Sequence, residues 1–531
     1  MRTHGMGVVV NALLGAALLG AALLGARAAR GQDEPARHNI CQFGAQADGA
    51  SLCTHAIQQA IDRCAQEGGC VYFPPGKFLS GPVRLRSGVT ILLDDEATWL
   101  GSRSRDDYNL PPASEGAAPK KPRAFIEGYD LEGIAIRGGG TIDINGDAFK
   151  QKDKYRPKGL YFENCRRIRI EGIHLRNAGS WMQHYRFCED VDIRDIAVFN
   201  HASYNNDGLD VDSCRRVQIL GCVIDSDDDA IVLKSLSQRP CEDVTVLGCV
   251  VRSHCNAIKL GTESGGGFVR ISVSACEVSS PAKTKAIYGR DRGLAGIALE
   301  IVDGGRLEDV TVEDIAIRGV SVPIFLRLGN RARPYVKDQP KPDVGTFRRV
   351  RLSRIAAEGV SNTGCSITGL PGHPIEDVRL EDIRLEFDGG GTADHAQREV
   401  PERPEAYPES TMFGVLPAYG FYCRHVKGIA FRNVTLLVRE RDERPAIVCD
   451  DVSDLAIDAL DVGTGGVAPV RFINVAGAEL QGCIVSDQVP ALLRVEGEGS
   501  KNITIAGEKP QDVETLFDRA AGAPEDAVST R

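Results

Sequence analysis

The chain has 531 residues, and length alone would suggest two to four globular domains. Its formal net charge of −10 comes with no basic stripe, which argues against nucleic acid as a partner. The 58 Gly and 6% aromatic residues, with few long helical patterns, point instead to many short strands joined by turns.

The first element is a targeting segment. Arg2 and His4 precede an apolar run, Val8 to Leu24, and Ala26-Arg27-Ala28 offers a small-x-small cleavage site before polar sequence begins at Arg30. Residues 1–28 are therefore expected to be a signal peptide and the mature protein to be exported, extracellular or periplasmic. A membrane anchor is the competing reading, because the run approaches spanning length. Thr54 to Gln66 reads as the one good helix, with Ala56, Ile57, Ala60, Ile61, Cys64 and Ala65 as its apolar stripe and Thr54 as N-cap. Gly68-Gly69 ends it. Such a helix would cover an open end of stacked strands.

Repeats then dominate. Cys165-Arg-Arg-Ile168, Cys188-Glu-Asp-Val191, Cys214-Arg-Arg-Val217 and Cys241-Glu-Asp-Val244 follow one another at near-constant spacing, each opening a short alternating strand. A second ladder runs Cys222, Cys249, Cys276. Weaker copies follow at Ile271, Val310, Val350, Val378 and Ile429, then near Leu455. A period of about 25 residues with three short strands per copy is what a parallel β-helix needs, since each turn buries its apolar face only against its neighbours. Leucine-rich repeats would require a Leu/Asn consensus that is absent, and a β-propeller would need longer antiparallel blades. The expected fold is all-β: a single-stranded, right-handed parallel β-helix over residues 38–508, with a short N-terminal capping helix and a polar C-terminal tail over 509–531. Most of the 16 Cys fall in the ladders and read as reduced core residues. Cys41, Cys53, Cys64 and Cys70 cluster apart and are the disulfide candidates. Tyr335 to Asp343 and Gly389 to about Leu416 break the period and read as projecting loops.

Within the repeats, Asn205-Asn206-Asp207-Gly208-Leu209-Asp210 is followed one turn later by Asp227-Asp228-Asp229-Ala230-Ile231, and after another turn by Ser253-His254-Cys255-Asn256. Aligning Gly208-Leu209, Ala230-Ile231 and Ala257-Ile258 puts Asp207, Asp229 and Asn256 at one lateral place on three turns. Stacked strands lie about 4.8 Å apart, so carboxylates there repel and at least one pKa rises. Splitting neighbouring acids in this way gives a proton donor and an ionised base at one pH, and an inverting glycosidase needs such a pair with room for water between them. The plainer reading is that paired Asp residues in turns bond backbone amides or hold Ca²⁺.

The run Asn-Asn-Asp-Gly-Leu-Asp, then Asp-Asp, then Ser-His-Cys resembles glycoside hydrolase family 28, the polygalacturonases. Phe43-Gly44-Ala45-x-x-Asp48-Gly49 and Val71-Tyr72-Phe73-Pro74-Pro75-Gly76 resemble the opening of pectin-degrading β-helices generally. The resemblance implies Asp228 as general acid, Asp207 and Asp229 as the pair that holds and activates the attacking water, and His254 as the residue tuning the acid. It implies inversion, no metal or cofactor, and a pectic polysaccharide or oligouronide as substrate. No nucleic acid partner, no membrane after signal cleavage and a monomer are expected.

Three departures stand against the family pattern. Asn206 replaces Thr, and Asp227 replaces the usual Gly or Gln. Ser253 and Cys255 replace glycines beside the His. Most important, the family's Arg-Ile-Lys grip on substrate carboxylates falls by ladder alignment on Ala298-Leu299-Glu300. Candidate substitutes are the basic residues Lys259, Arg290, Arg292, Arg327, Arg331 and Arg333, Arg being suited to carboxylates by its planar fork, and Asn205 is a further substrate-binding candidate. Tyr422-Cys423-Arg424-His425 could reach back after the long insert. The lost grip makes rhamnogalacturonan or exo action on short uronides as plausible as plain polygalacturonate, and the 389–416 insert would favour exo action by closing one end of the cleft. Two rivals share the fold: a polysaccharide lyase, which would use Ca²⁺ or a basic residue, and a non-catalytic carbohydrate-binding β-helix, which would tolerate Asp228→Asn.

Overall fold

A computed structural model describes residues 36–108, 124–149, 155–281, 292–336, 338–463, 465–520 and 522–531. The expected signal peptide (1–28) and the candidate Arg290 lie outside them. From Arg37 onward the chain is one compact unit whose strands pair in parallel with the turn before and the turn after, a right-handed parallel β-helix. Among the described residues no helix is long and apolar enough to cross a membrane.

Three faces run the length of the stack. On the first, Leu209, Ile231, Ile258, Ile297 and Ile324 stand in register on five turns. On the second, Ile134, Ile168, Val191, Val217, Val244, Ile271, Val310, Val350, Val378, Ile429 and Leu455 form one unbroken ladder, so the weaker repeats belong to the same row as the strong ones. On the third, Val198, Ile224, Val251, Val278, Ile317 and Ala357 do the same. Alternation then decides which side chains look out: at period 2 the neighbours of each ladder residue face solvent or the cleft.

The cysteine rows are core positions. Cys222, Cys249 and Cys276 continue as Ile315, Ile355 and Ile383, so the thiol fills the place of a branched aliphatic. All 16 cysteines are free thiols. That corrects the disulfide expectation for Cys41, Cys53, Cys64 and Cys70: Cys53 and Cys64 point into the core under the capping helix, while Cys41 is exposed. The helix itself spans Thr54–Glu67 and buries Ala56, Ile57, Ala60, Ile61 and Cys64. Thr54 is its first residue rather than its cap. Its hydroxyl accepts instead from the Gly81 N–H at 2.7 Å, tying helix to stack.

At the other end the stack runs on through the stretch expected to be a loose tail. Val513–Arg519 pairs with Val489–Glu496, and Val528–Thr530 with Lys501–Ala506. Open strand edges there find partners in spite of the polar sequence, because backbone pairing needs no apolar side chain.

Candidate active site

The carboxylates sit in the turns that carry the chain from the third face to the first. Asp207 precedes the strand Leu209–Asp212, Asp228 and Asp229 precede Ile231–Ser235, and His254 precedes Asn256–Ser264. The register places Asp207, Asp229 and Asn256 in one row, as the spacing predicts. Each turn is anchored by its own polar residues. The Asn200 side chain accepts from the Ala178 N–H and donates to the Ser180 and Asp207 carbonyls, and Asn206 donates to the Asn200 carbonyl at 2.6 Å. Asn206, fully buried, is thus a staple of the turn. Ser253 donates to the Asp228 carbonyl at 2.6 Å and accepts from the Cys255 N–H, which gives the hydroxyl a task a glycine cannot perform. Gly208 is fixed by closeness: a Cβ there would meet Ile224 at 2.4 Å and the Ala230 carbonyl at 2.7 Å.

The three acids have different surroundings. Asp228 is part-exposed, whereas Asp207 and Asp229 are buried. Asp229 Oδ2 is 3.1 Å from Lys259 Nζ, and its Oδ1 accepts from Asn256 Nδ2 at 2.7 Å. Burial works to raise its pKa, but Lys259, Lys234 and the Asn256 amide outweigh it and hold Asp229 below the usual carboxylate range. Asp207 Oδ2 accepts from Lys234 Nζ at 3.1 Å, and the same ammonium is 3.1 Å from Asp210. Burial, with Asp210, Asp228 and Asp229 close by, holds Asp207 well above the usual range despite Lys234. Its second oxygen, Oδ1, has no protein partner. His254 Nδ1 lies 2.6 Å from Asp227 Oδ1.

Two groups among the described residues bring metal-ligand atoms within 4.8 Å of one another: His201, Asp227 and His254, and Asp228, Asp229 and Cys255. In the first, imidazole nitrogens already meet carboxylate oxygens.

Residues 74–402, more than half of the chain, match the family model for glycosyl hydrolases family 28. The chain belongs to that family. Residues 38–94 also match the model described as rhamnogalacturonase A/epimerase, pectate lyase-like. A probable polygalacturonase of Vitis vinifera is 33% identical over 215 residues, 37% of this chain and 44% of the relative. An exo-poly-alpha-D-galacturonosidase of Dickeya chrysanthemi is 26% identical over 36% of this chain and 41% of the relative. Polygalacturonase-2 of Solanum lycopersicum is 23% identical over 66% and 75%. The chain thus spans under half the length of the first two. In fold it is similar to an exopolygalacturonase of Thermotoga maritima, with TM-score 0.56 and 22% identity over 67% of this chain and 88% of that one.

In this family-28 chain the described basic candidates have found partners inside the protein. Lys259 is the counter-ion of Asp229 and lies 3.9 Å from Glu300. Arg327, fully buried, donates to Thr368 and to the carbonyls of Gly369, Glu402 and Arg403. Arg331 binds Asp303, and Arg333 lies 3.5 Å from Glu263. Arg292 pairs with Asp388 at 2.5 Å. Asn205 accepts from Arg156 at 3.0 Å. Arg327 therefore spends its donors on main chain rather than presenting them to a ligand, because the insert lies across it.

That insert covers the place where the Arg-Ile-Lys grip is expected to be absent. Lys259 registers with Ala298 and Glu300 with Arg327, so Ala298-Leu299-Glu300 lies one turn beyond Lys259 on the first face. Met412 packs on Ala295, Ala298, Val322 and Phe325, while Val400, Phe413 and Leu416 pack on Tyr422 and Val448. Ser410 donates to the Leu294 carbonyl, and Arg424 to the Val400 and Pro401 carbonyls. Segment 389–416 is a packed cover over the first face rather than a projecting loop, and Arg424 holds it down. It carries Tyr407 to the edge of the carboxylates, where the ring centroid is 5.6 Å from Lys259 Nζ. Glu300, sealed beneath, is pushed up to about 8 by burial.

Sequence reasoning missed Lys234, Asp210, His201 and Trp181. Parity could have found the first two: counting outward positions from Leu209 and Ile231 puts Asp210 and Lys234 on the cleft side. Trp181, with Lys158 Nζ 3.7 Å and Lys234 Nζ 4.0 Å from its ring, gives no periodic signal.

Proposed function

We propose that the protein is an exported, inverting glycoside hydrolase that cleaves α-galacturonosyl linkages of pectin-type polysaccharide, working from a chain end. The observation that carries this is the division of labour among three neighbouring carboxylates: one open to the cleft, and two buried, each tied to its own lysine. Asp228 donates its proton to the leaving oxygen. Asp229, ionised beside Lys259, draws the proton from the attacking water, and Asp207 Oδ1 accepts from that water. As the water adds from the face opposite the leaving group, the new hydroxyl appears with inverted configuration. The apolar run with its Ala26-Arg27-Ala28 site supports export of the mature chain.

End-wise action is the reading the insert supports, since it packs on the first face beyond Lys259 and brings Tyr407 beside that lysine. On the earlier turns Lys158 stands over Trp181 and beside His184, with Arg186 one turn from Asp212. Burial pushes the Lys158 pKa down to about 7, and Arg186 shares its charge with Glu163 and Asp212, so this aromatic side meets the substrate carboxylate mainly as hydrogen-bond donors in place of the family grip. The test is to incubate mature protein with polygalacturonate, rhamnogalacturonan and short oligouronides and to identify products. Release of short reducing sugars of inverted anomeric form, without ultraviolet absorbance, is expected. Unsaturated products would make the protein a lyase, and no release from any uronate-containing substrate would end the assignment.

A further inference from the structure

Asp227 stands where the family pattern has Gly or Gln, and its environment shows what the extra carboxylate meets. It is fully buried, and its Oδ1 faces two imidazoles: His254 Nδ1 at 2.6 Å and His201 Nδ1 at 3.2 Å. The other nitrogen of His201 is 2.8 Å from Asp225 Oδ1. Three successive turns thus contribute an alternating row, Asp225–His201–Asp227–His254. Also facing it are the Phe199 ring, 4.6 Å from that of His201, Arg252, 3.8 Å from Asp225, and Asp228 in the same turn as Asp227.

We propose that His201 and Asp227 are positioning residues that set the tautomer and ring orientation of His254 for its work beside Asp228. The proposal rests on the hydrolase reading for its consequence, though not for its geometry. His201 Nε2 bonds Asp225, while Nδ1 lies 3.2 Å from Asp227 outside hydrogen-bond geometry, so the two carboxylates act on the ring together through charge and favour the imidazolium. Burial alone would lower the His201 pKa, but Asp225 and Asp227 raise it to about 9. A cation there offsets part of the cost of burying the Asp227 carboxylate. The anionic Asp227 in turn accepts a hydrogen bond from His254 Nδ1–H, which leaves Nε2 as the acceptor nitrogen whenever His254 is neutral. The same logic, a carboxylate behind an imidazole, fixes tautomers at many catalytic and metal sites.

Two readouts separate this from a structural role. In wild-type protein without substrate, ¹⁵N-edited NMR of the imidazoles should show neutral His254 protonated at Nδ1 and His201 doubly protonated up to about pH 9. In kinetics, His201→Gln and Asp227→Gln should each lower kcat, by between about 10-fold and about 10⁴-fold, with KM changed less than about twofold. The double variant should lose no more than the worse single one, since both act through His254. The alkaline limb of the wild-type profile should change shape in His201→Gln. A wild-type His254 protonated at Nε2, or variants with unaltered kcat and pH profile, would overturn the proposal. The NMR result stands whatever the substrate proves to be, so a failed substrate assignment and a failed positioning row give different outcomes.

Discussion

At the scale of residues, the site is a set of buried charges that tolerate one another because each has a named partner. Lys259 serves Asp229, and Lys234 serves Asp207 and Asp210. Removing one member of a buried pair leaves the other unpaired, at a cost of about 3–5 kcal/mol. Lys259→Met should therefore lower stability by about that much in denaturant titration, and should raise the acid limb of kcat by freeing Asp229 from its cation. Glu300 tests the electrostatics in the opposite sense. Its pKa rises from 4.5 to about 8 on folding, so between those values the folded state binds more protons than the unfolded state. Stability consequently falls as pH rises across that window. Gln cannot titrate, so the melting temperature of Glu300→Gln minus that of wild type should grow from about pH 5 to about pH 8; a difference flat with pH would contradict the burial argument. The row of Asp207, Asp229 and Asn256 was legible in the sequence because a spacing of one turn stacks them, with Asp228 and His254 in the same turns. Their lysines were legible only through strand parity. The fate of Arg327 was not legible at all, since its partners are main-chain carbonyls of a segment 75 residues away.

At the scale of elements, charge alternates along the second face as apolar residues repeat within it. Arg215-Arg216 lies between Glu189-Asp190 and Glu242-Asp243, with Arg216 2.6 Å from Asp190, and the pattern returns at Arg270 on Asp243 and Arg349 on Asp309. Each such exposed pair contributes little, about 0–1 kcal/mol, but a slip of one turn would set like charges together. That pattern, Cys-Arg-Arg alternating with Cys-Glu-Asp, is visible in the sequence. The insert was visible only as a break in the period, because nothing local distinguishes a projecting loop from a cover. Replacing 392–416 by a short Gly-Ser link, with Phe325→Ser to keep the uncovered face polar, should lengthen the accessible cleft. The products should then shift from short units to a range of lengths on chromatography. An unchanged product profile would mean the cover does not define the mode of action.

At the scale of the whole molecule, a solenoid gains stability turn by turn, each repeat depending on its neighbours. Its ends need covering, by Thr54–Glu67 at one and by the strands Val513–Arg519 and Val528–Thr530 at the other. Both lie far along the stack from the carboxylates, and this separation makes the chemistry testable without disturbing the fold. Asp228 is part-exposed and only its carboxylate is asked to donate a proton, so Asp228→Asn keeps shape while removing the acid. The decisive measurement is the initial rate of reducing-sugar release from oligogalacturonide by wild type and Asp228→Asn, with thermal melts of both. A loss of about 10³-fold or more in rate, at a melting temperature within about 3 °C of wild type, is the predicted result. Asp228→Asn protein that melts normally and keeps more than about a tenth of the rate would contradict the assignment of Asp207, Asp228 and Asp229 as the hydrolytic centre.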